Sequence, residues 1–168
     1  MKRIIIHWTA GTGQPNNTDY QHYHYLVNKD GVVTMGKFPV SANEVCKNDS
    51  KGNPAYSAHC GGGNTGSIGV SMCGMYVPPK TDVKLTKYPL TKKQCESTFK
   101  LCAEICKKYK IPVTAQTVMT HYEFGKSHPN TSSAGKIDII YLPPYPEQTA
   151  DKIGDFIRNK VRWYSQNS

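Results

Sequence analysis

A chain of 168 residues can bury most of its apolar surface around one core, and we expect residues 1–168 to form a single domain. Hydrophobic residues make up 38% of it and charged residues 20%, which excludes disorder, collagen-like repeats and coiled coil as the main class. The formal net charge of +9 favours polyanionic partners. The sequence has no arginine-rich run and no aromatic motif of the kind that stacks on bases, so nucleic acid is disfavoured as a partner.

The N-terminal segment predicts neither secretion nor membrane insertion. Its basic start precedes only three apolar residues, Ile4 to Ile6, whereas a secretory signal needs about seven to fifteen. No segment approaches the roughly 20 apolar residues of a membrane span. We therefore expect a monomer without stable membrane insertion that is made in the cytoplasm.

Six cysteines give an even count, which in a secreted chain would suggest disulfides. Cys95, Cys102 and Cys106 are instead spaced by seven and four, so on a helix they share one face and act as small buried apolar groups. No C-x-x-C pair is present, which argues against a structural four-cysteine zinc site. We favour reduced thiols over disulfides.

The first elements in chain order are a strand, a loop and a hairpin. Arg3 to Trp8 is an apolar run that predicts a buried strand carrying a histidine near its end. A polar loop is predicted from Thr9 to about His22. Tyr23 to Val27 and Val32 to Met35 flank Asp30-Gly31, and this pattern predicts two antiparallel strands joined by a tight turn.

The rest of the chain alternates loops, strands and helices. The predicted elements are loops over residues 41–66 and about 75–90, strands from Ser67 to Cys73 and from Val113 to Val118, and helices from Thr91 to about Lys110 and from about Glu147 to Tyr164. Thr91 followed by Gln94 resembles a capping box. This order predicts an α/β fold with a central mixed β-sheet flanked by helices.

The predicted last helix carries basic residues beside an apolar stripe: Lys152, Arg158, Lys160 and Arg162. One hypothesis is that the stripe packs on the sheet and the charges are solvated. The other adds that the basic face attracts the protein to an anionic bacterial envelope.

The six histidines lie at positions 7, 22, 24, 59, 121 and 128, and none forms a His-Glu-x-x-His pair on one helical turn. A zinc site would therefore be assembled from distant segments. Catalytic zinc needs three protein ligands and an open position for water. Composition alone does not rank the six candidates.

Several ordered blocks of the sequence resemble a known family, the type 2 N-acetylmuramoyl-L-alanine amidases. The blocks are Ile4-Ile5-Ile6-His7-Trp8-Thr9-Ala10, Tyr23-His24-Tyr25-Leu26-Val27-Asn28-Lys29-Asp30-Gly31, Ser57-Ala58-His59 with Asn64, Ser67-Ile68-Gly69-Val70 and Thr120-His121. The resemblance runs from residue 4 to about 138. The family includes phage endolysins, bacterial cell-wall recycling amidases and animal peptidoglycan recognition proteins, so the resemblance implies their fold.

The resemblance also implies a Zn²⁺ site. The family's ligands correspond here to His7, His121 and Asp138. The interval between His121 and Asp138 is longer than in the phage relatives, so His128 and Glu123 stand as alternatives to Asp138 as the third ligand.

Four further residues receive roles from the resemblance. Lys136 corresponds to a lysine that stabilises the developing oxyanion, and Tyr23 to a tyrosine that orients water or hydrogen-bonds the intermediate. His59 and Asn64 correspond to residues that line the substrate groove, with a structural loop role as the alternative. Two histidines remain as surface or packing residues, His22 and His24.

The function implied is hydrolysis of the amide between N-acetylmuramic acid and L-alanine in peptidoglycan, the expected partner. We expect a phage-type endolysin that reaches the wall after release from the host cytoplasm. A recycling amidase is the closest rival, but its catalytic Glu corresponds here to Ser71. A delivered toxin and a non-catalytic peptidoglycan-binding module are further alternatives, and the last predicts a missing zinc ligand.

Overall fold

A five-stranded mixed sheet forms the centre of the protein in the computed structural model, which describes residues 1–75 and 87–167. The strands are β1 (Arg3–Trp8), β2 (Tyr25–Val27), β3 (Val33–Met35), β4 (Ser67–Met72) and β5 (Val118–Thr120). Their order across the sheet is β3-β2-β4-β1-β5. β1 runs parallel to β4 and β5, β2 runs parallel to β4, and β3 pairs with β2 in antiparallel orientation. The predicted mixed sheet is confirmed.

Within the described residues, four α-helices and one 3₁₀ helix accompany the sheet. They are α1 (Asn17–His22), the 3₁₀ helix (Val40–Glu44), α2 (Lys92–Tyr109), α3 (His121–Ser127) and α4 (Ala150–Gln166). The two long helices, α2 and α4, pack against each other. In the described part of the chain no helix is long and apolar enough to cross a membrane.

The two faces of the sheet are built differently. Ile4 and Ile6 of β1 are fully buried in the main core, which also contains buried side chains of α2 and α4. Because side chains alternate along a strand, Ile5 faces the other side, where it packs in a smaller cluster with Cys60 and Phe124. This second face is covered by loops and the short helix α3, and it carries the candidate site.

Several predicted elements match the structure closely. Thr91 caps α2, with the capping box to Gln94 formed, and the helix ends where Lys110 adopts a left-handed φ of 55°. Cys95, Cys102 and Cys106 are all buried on α2, as their spacing predicts. The hairpin and the strand after residue 66 are also present, although β2 begins at Tyr25 rather than Tyr23. Most of the predicted 75–90 connection, residues 76–86, lies outside the described residues.

Two predictions of local structure were wrong, and one helix was missed. The segment predicted as a polar loop contains α1, whose capping box joins Asn16 and Asp19. The strand predicted over Val113 to Val118 begins only at Val118, because the preceding residues form a turn in which the Thr114 amide donates to the hydroxyl of Thr117. The short helix α3 was not predicted at all, although Thr120 and Glu123 form its capping box.

Arg158 also contradicts the prediction of a solvated basic face on the last helix. Its side chain is only 5% exposed, and its two terminal nitrogens each lie 3.0 Å from a carboxylate oxygen of Glu123. One of these nitrogens also donates to the Val118 carbonyl at 2.9 Å. Arg158 therefore joins α4 to β5 and to the first turn of α3.

Candidate metal and substrate site

Strand register brings His7 and His121 together. β1 and β5 are parallel neighbours, and Ile6 is paired with Thr120. The next residues, His7 and His121, therefore leave the same edge of the sheet side by side, with ring centroids 4.6 Å apart. Both are buried, at 0% and 5% exposure.

Asp138 reaches this pair from the loop between α3 and α4. Its Oδ2 lies 3.2 Å from Nδ1 of His7 and 3.5 Å from Nδ1 of His121. The next residue, Ile139, is fully buried in the main core and has a left-handed φ of 66°. That backbone conformation costs a β-branched residue on the order of 1–3 kcal/mol, so the surrounding packing must impose it. Core burial of Ile139 thereby anchors the turn that directs Asp138 to the histidines.

The charge states in this cluster suit a cation. Burial lowers the pKa of His7 to about 4, against the opposing effect of Asp138, so the ring is neutral at pH 7. Burial alone would raise the pKa of Asp138, but its contacts with His121 and His7 outweigh burial and hold that pKa below the ordinary value. A neutral imidazole and an ionised carboxylate are the forms that bind metal ions.

The donor set fits a catalytic zinc ion. One ligand atom each from His7, His121 and Asp138 can be chosen so that all three lie within 4.8 Å of one another. Two imidazole nitrogens and a carboxylate oxygen are a common set for mononuclear catalytic zinc, which keeps a further position for water. The two alternative ligands lie elsewhere: His128 stacks on Phe124 with centroids 3.9 Å apart, and Glu123 pairs with Arg158.

A groove of about 690 Å³ opens beside the cluster, and the residues to which the resemblance assigns roles line it: Tyr23, His59, Asn64, His121, Lys136 and Asp138. Lys136 is exposed, and its positive charge contributes to the low pKa of His7. The Tyr23 ring lies 5.1 Å from that of His7, measured between centroids. Burial and then the charges of Asp138 and Asp19 raise the pKa of Tyr23, so its phenol is protonated at neutral pH and can donate a hydrogen bond.

His59 and Asn64 are less available to a ligand than their positions in the sequence suggest. The His59 ring is 7% exposed, and its Nδ1 lies 2.9 Å from Nε2 of His7. The Asn64 side-chain oxygen accepts hydrogen bonds from the backbone amides of His59 and Cys60, at 2.9 and 2.8 Å. Its carbonyl end therefore shapes the loop that carries His59.

The other two histidines have the surface and packing roles predicted for them. His22 is exposed at the rim of the groove, where its Nδ1 lies 2.8 Å from the Ala58 carbonyl. His24 is 1% exposed, with Nε2 2.9 Å from Oδ1 of Asn43, and its Nδ1 accepts a hydrogen bond from the Gly69 amide.

Sequence reasoning missed Ser133. Its hydroxyl lies 2.9 Å from Nε2 of His121 and donates to the Gly61 carbonyl at 2.7 Å. No spacing or motif distinguishes this serine from its neighbours Ser132 and Thr131 in the sequence. Only the folded loop brings it to the histidine.

A buried cluster of two histidines and a carboxylate beside an open groove is a donor set suited to a single metal ion, as found in metal-dependent hydrolases. A family model described as N-acetylmuramoyl-L-alanine amidase matches residues 1–138, and the chain belongs to this family.

Individual relatives agree with that assignment. Over 164 residues the chain is 31% identical to Endolysin 2638A of Staphylococcus phage 2638A; the match covers 96% of this chain and 32% of that endolysin. The chain thus spans about a third of the length of this relative. Two solved structures show the same fold at low sequence identity: the amidase LysC from Clostridium intestinale URNW and the PlyG catalytic domain.

LysC has a TM-score of 0.53 and 15% identity, with coverage of 96% of this chain and 85% of LysC. The PlyG catalytic domain has a TM-score of 0.54 and 18% identity, with coverage of 98% of this chain and 84% of that domain. These matches confirm the predicted fold.

Proposed function

We propose that the protein is a zinc-dependent N-acetylmuramoyl-L-alanine amidase that cleaves the bond between the glycan and the stem peptide of peptidoglycan. The observation that carries the proposal is the cluster of His7, His121 and Asp138, two of which line the groove. A non-catalytic relative that had lost a ligand would lack one of the three. Family membership supplies the substrate class.

His7, His121 and Asp138 would hold the ion. When bound, zinc supplies Lewis-acid activation of water and of the scissile carbonyl near neutral pH. The protonated Tyr23 phenol donates a hydrogen bond to the oxygen that gains negative charge as the amide is attacked. Lys136 lines the same groove and adds positive charge to it. Water adds to the amide carbon and the carbon–nitrogen bond breaks. The carbon keeps the water oxygen as a lactyl carboxylate on muramic acid, and a proton from that water leaves with the nitrogen as the free amine of L-alanine.

A phage-type role in lysis is the setting we propose. The relative with 31% identity is a phage endolysin. Ser71 lies opposite His7 in the register of β1 and β4, and it places a small hydroxyl where the recycling enzymes carry a catalytic carboxylate. The net charge of +9 favours binding to an anionic envelope.

Metal analysis combined with product analysis tests the proposal. Purified protein should contain one zinc per chain, and His7→Ala or His121→Ala should remove both the metal and the activity, because a site with two ligands is too weak to hold the ion. On isolated peptidoglycan the wild-type protein should release new L-alanine amino termini without new reducing sugar. Full activity in chelator-treated protein would refute the zinc mechanism, and new reducing ends would indicate a glycosidase.

A further inference from the structure

A chain of hydrogen bonds behind His7 fixes which of its nitrogens carries the proton. Nε2 of His59 lies 3.3 Å from the Ser67 carbonyl, which can only accept a hydrogen bond, so this nitrogen must be protonated. In a neutral ring the other nitrogen, Nδ1, is then an acceptor. It lies 2.9 Å from Nε2 of His7, which must donate to it. Nδ1 of His7 is left with a free lone pair directed toward Asp138.

A second chain has the same effect on His121. The Ser133 hydroxyl gives its proton to the Gly61 carbonyl at 2.7 Å, so its oxygen accepts from Nε2 of His121 at 2.9 Å. In the neutral tautomer with the proton on Nε2, Nδ1 of His121 is then also an acceptor. Both Nδ1 atoms face the Asp138 carboxylate, at 3.2 and 3.5 Å. The three atoms that face one another can then each give an electron pair to one metal ion.

We propose that His59 and Ser133 are positioning residues that hold His7 and His121 in the tautomer that presents Nδ1 to the metal. This inference rests on the proposed function, because it concerns the same zinc site. It differs from the role that the resemblance implies for His59, which is contact with substrate.

The sheet provides space for the His59 ring. On β4, Gly69 lies beneath it, and a Cβ at that position would come within 2.7 Å of Cγ of His59. The ring thus packs against the sheet, with both nitrogens already engaged. A residue whose polar atoms are all committed to protein partners has none left to recognise substrate.

Zinc affinity separates the two roles of His59. His59→Leu removes the acceptor, whereas His59→Asn keeps an oxygen at the position of Nδ1. Loss of a partner that orients a metal ligand typically weakens metal binding about 10- to 100-fold. We expect that loss in His59→Leu and in Ser133→Ala, measured by competition with a chromophoric chelator, and substantial recovery in His59→Asn. His128→Leu, which replaces an exposed histidine outside the cluster, is the matched control and should bind zinc like the wild type.

Kinetics at saturating zinc give the second readout. The positioning role predicts that His59→Leu then has a wild-type KM for a soluble muropeptide. Unchanged zinc affinity with a raised KM would overturn the proposal in favour of substrate contact, while leaving the proposed amidase function intact. Failure of the wild-type protein to bind zinc would instead refute the proposed function, and the positioning role with it.

The wild-type protein tests the inference even if a variant does not fold. Nitrogen-15 NMR of the imidazole rings should show His7 and His121 protonated at Nε2 in the zinc-loaded protein. Protonation of His7 at Nδ1 with Nε2 bound to the metal would overturn the proposed hydrogen-bond chain.

Discussion

Arg158 offers the sharpest test of how the long helices hold the site in place. Its guanidinium makes two hydrogen bonds of 3.0 Å to Glu123 and one of 2.9 Å to the Val118 carbonyl, and it is nearly fully buried. Val118 begins the strand that leads to His121, and Glu123 lies in the first turn of α3. Replacing Arg158 therefore perturbs the element that carries one candidate ligand.

The expected loss of stability for Arg158→Ala follows from these contacts. Removing one partner of a fully buried ion pair costs about 3–5 kcal/mol, and the lower end of that range applies to this pair because the Glu123 side chain is 27% exposed and can regain water. The Val118 carbonyl also loses its hydrogen bond from Arg158. Leaving a buried carbonyl without a donor costs about 1–3 kcal/mol. The bond to Asp155 adds little, since that carboxylate is 81% exposed. We expect the free energy of unfolding to fall by about 3–5 kcal/mol, a large part of the 5–15 kcal/mol typical of a domain.

Denaturant unfolding with the metal chelated measures this loss without a contribution from zinc. Arg162→Ala on the same helix is the matched control, because Arg162 is exposed and should change stability by no more than about 0.5 kcal/mol. A double-mutant cycle with Glu123→Ala should show that the two losses are not additive. If Arg158→Ala and Arg162→Ala are equally stable, the buried pair does not hold β5, α3 and α4 together.

Three further predictions concern the site and its surroundings. Tyr23→Phe and Lys136→Ala should keep the zinc yet lower turnover by roughly a hundredfold, as losses of oxyanion stabilisation typically do, and wild-type turnover in either variant would return that residue to a structural role. Asp138→Ala should lose zinc in metal analysis while His128→Ala retains it; the reverse would move the third ligand to His128. Burial lowers the pKa of His24 from 6.5 to about 4, so the unfolded chain binds a proton at this ring more readily than the folded protein does. The stability that neutral His24 contributes is therefore complete above pH 6.5 and is lost as the pH falls through 4. Denaturant titrations of the wild type should show that His24 lowers the free energy of unfolding by about 2 kcal/mol between pH 7 and 5. If His24→Gln loses as much stability over this pH range as the wild type does, the prediction is wrong.

Local patterns in the sequence were sufficient for much of the fold. The apolar run before His7, the Asp-Gly turn and the cap of α2 each depend on neighbours within a few residues, so they could be predicted. The capping boxes of α1 and α3 were equally visible, at Asn16 and Thr120, but neither helix has the apolar periodicity by which longer helices are recognised.

Contacts between distant residues could not be predicted in the same way. Helical spacing places Arg158 beside other basic residues, and nothing local indicates that its partner Glu123 lies 35 positions earlier. The same holds for Ser133 and for the ring of His59, whose contacts exist only after the loops have folded over the sheet. Asp138 was identified through the family resemblance, because an aspartate in a loop carries no local signal of metal binding.

The face on which the site lies follows from the topology. The connection from β4 to β5 passes over β1, which lies between them in the sheet, and α2 within that connection covers one face together with α4. Residues of β1 that point toward the helices, such as Ile4 and Ile6, must therefore be apolar. His7 points the other way, toward a face covered by loops, where a groove can remain open. β4 completes this arrangement because its residues on the same face are small, Ser67, Gly69 and Ser71. The rings of His59 and Tyr23 can therefore come close to that of His7.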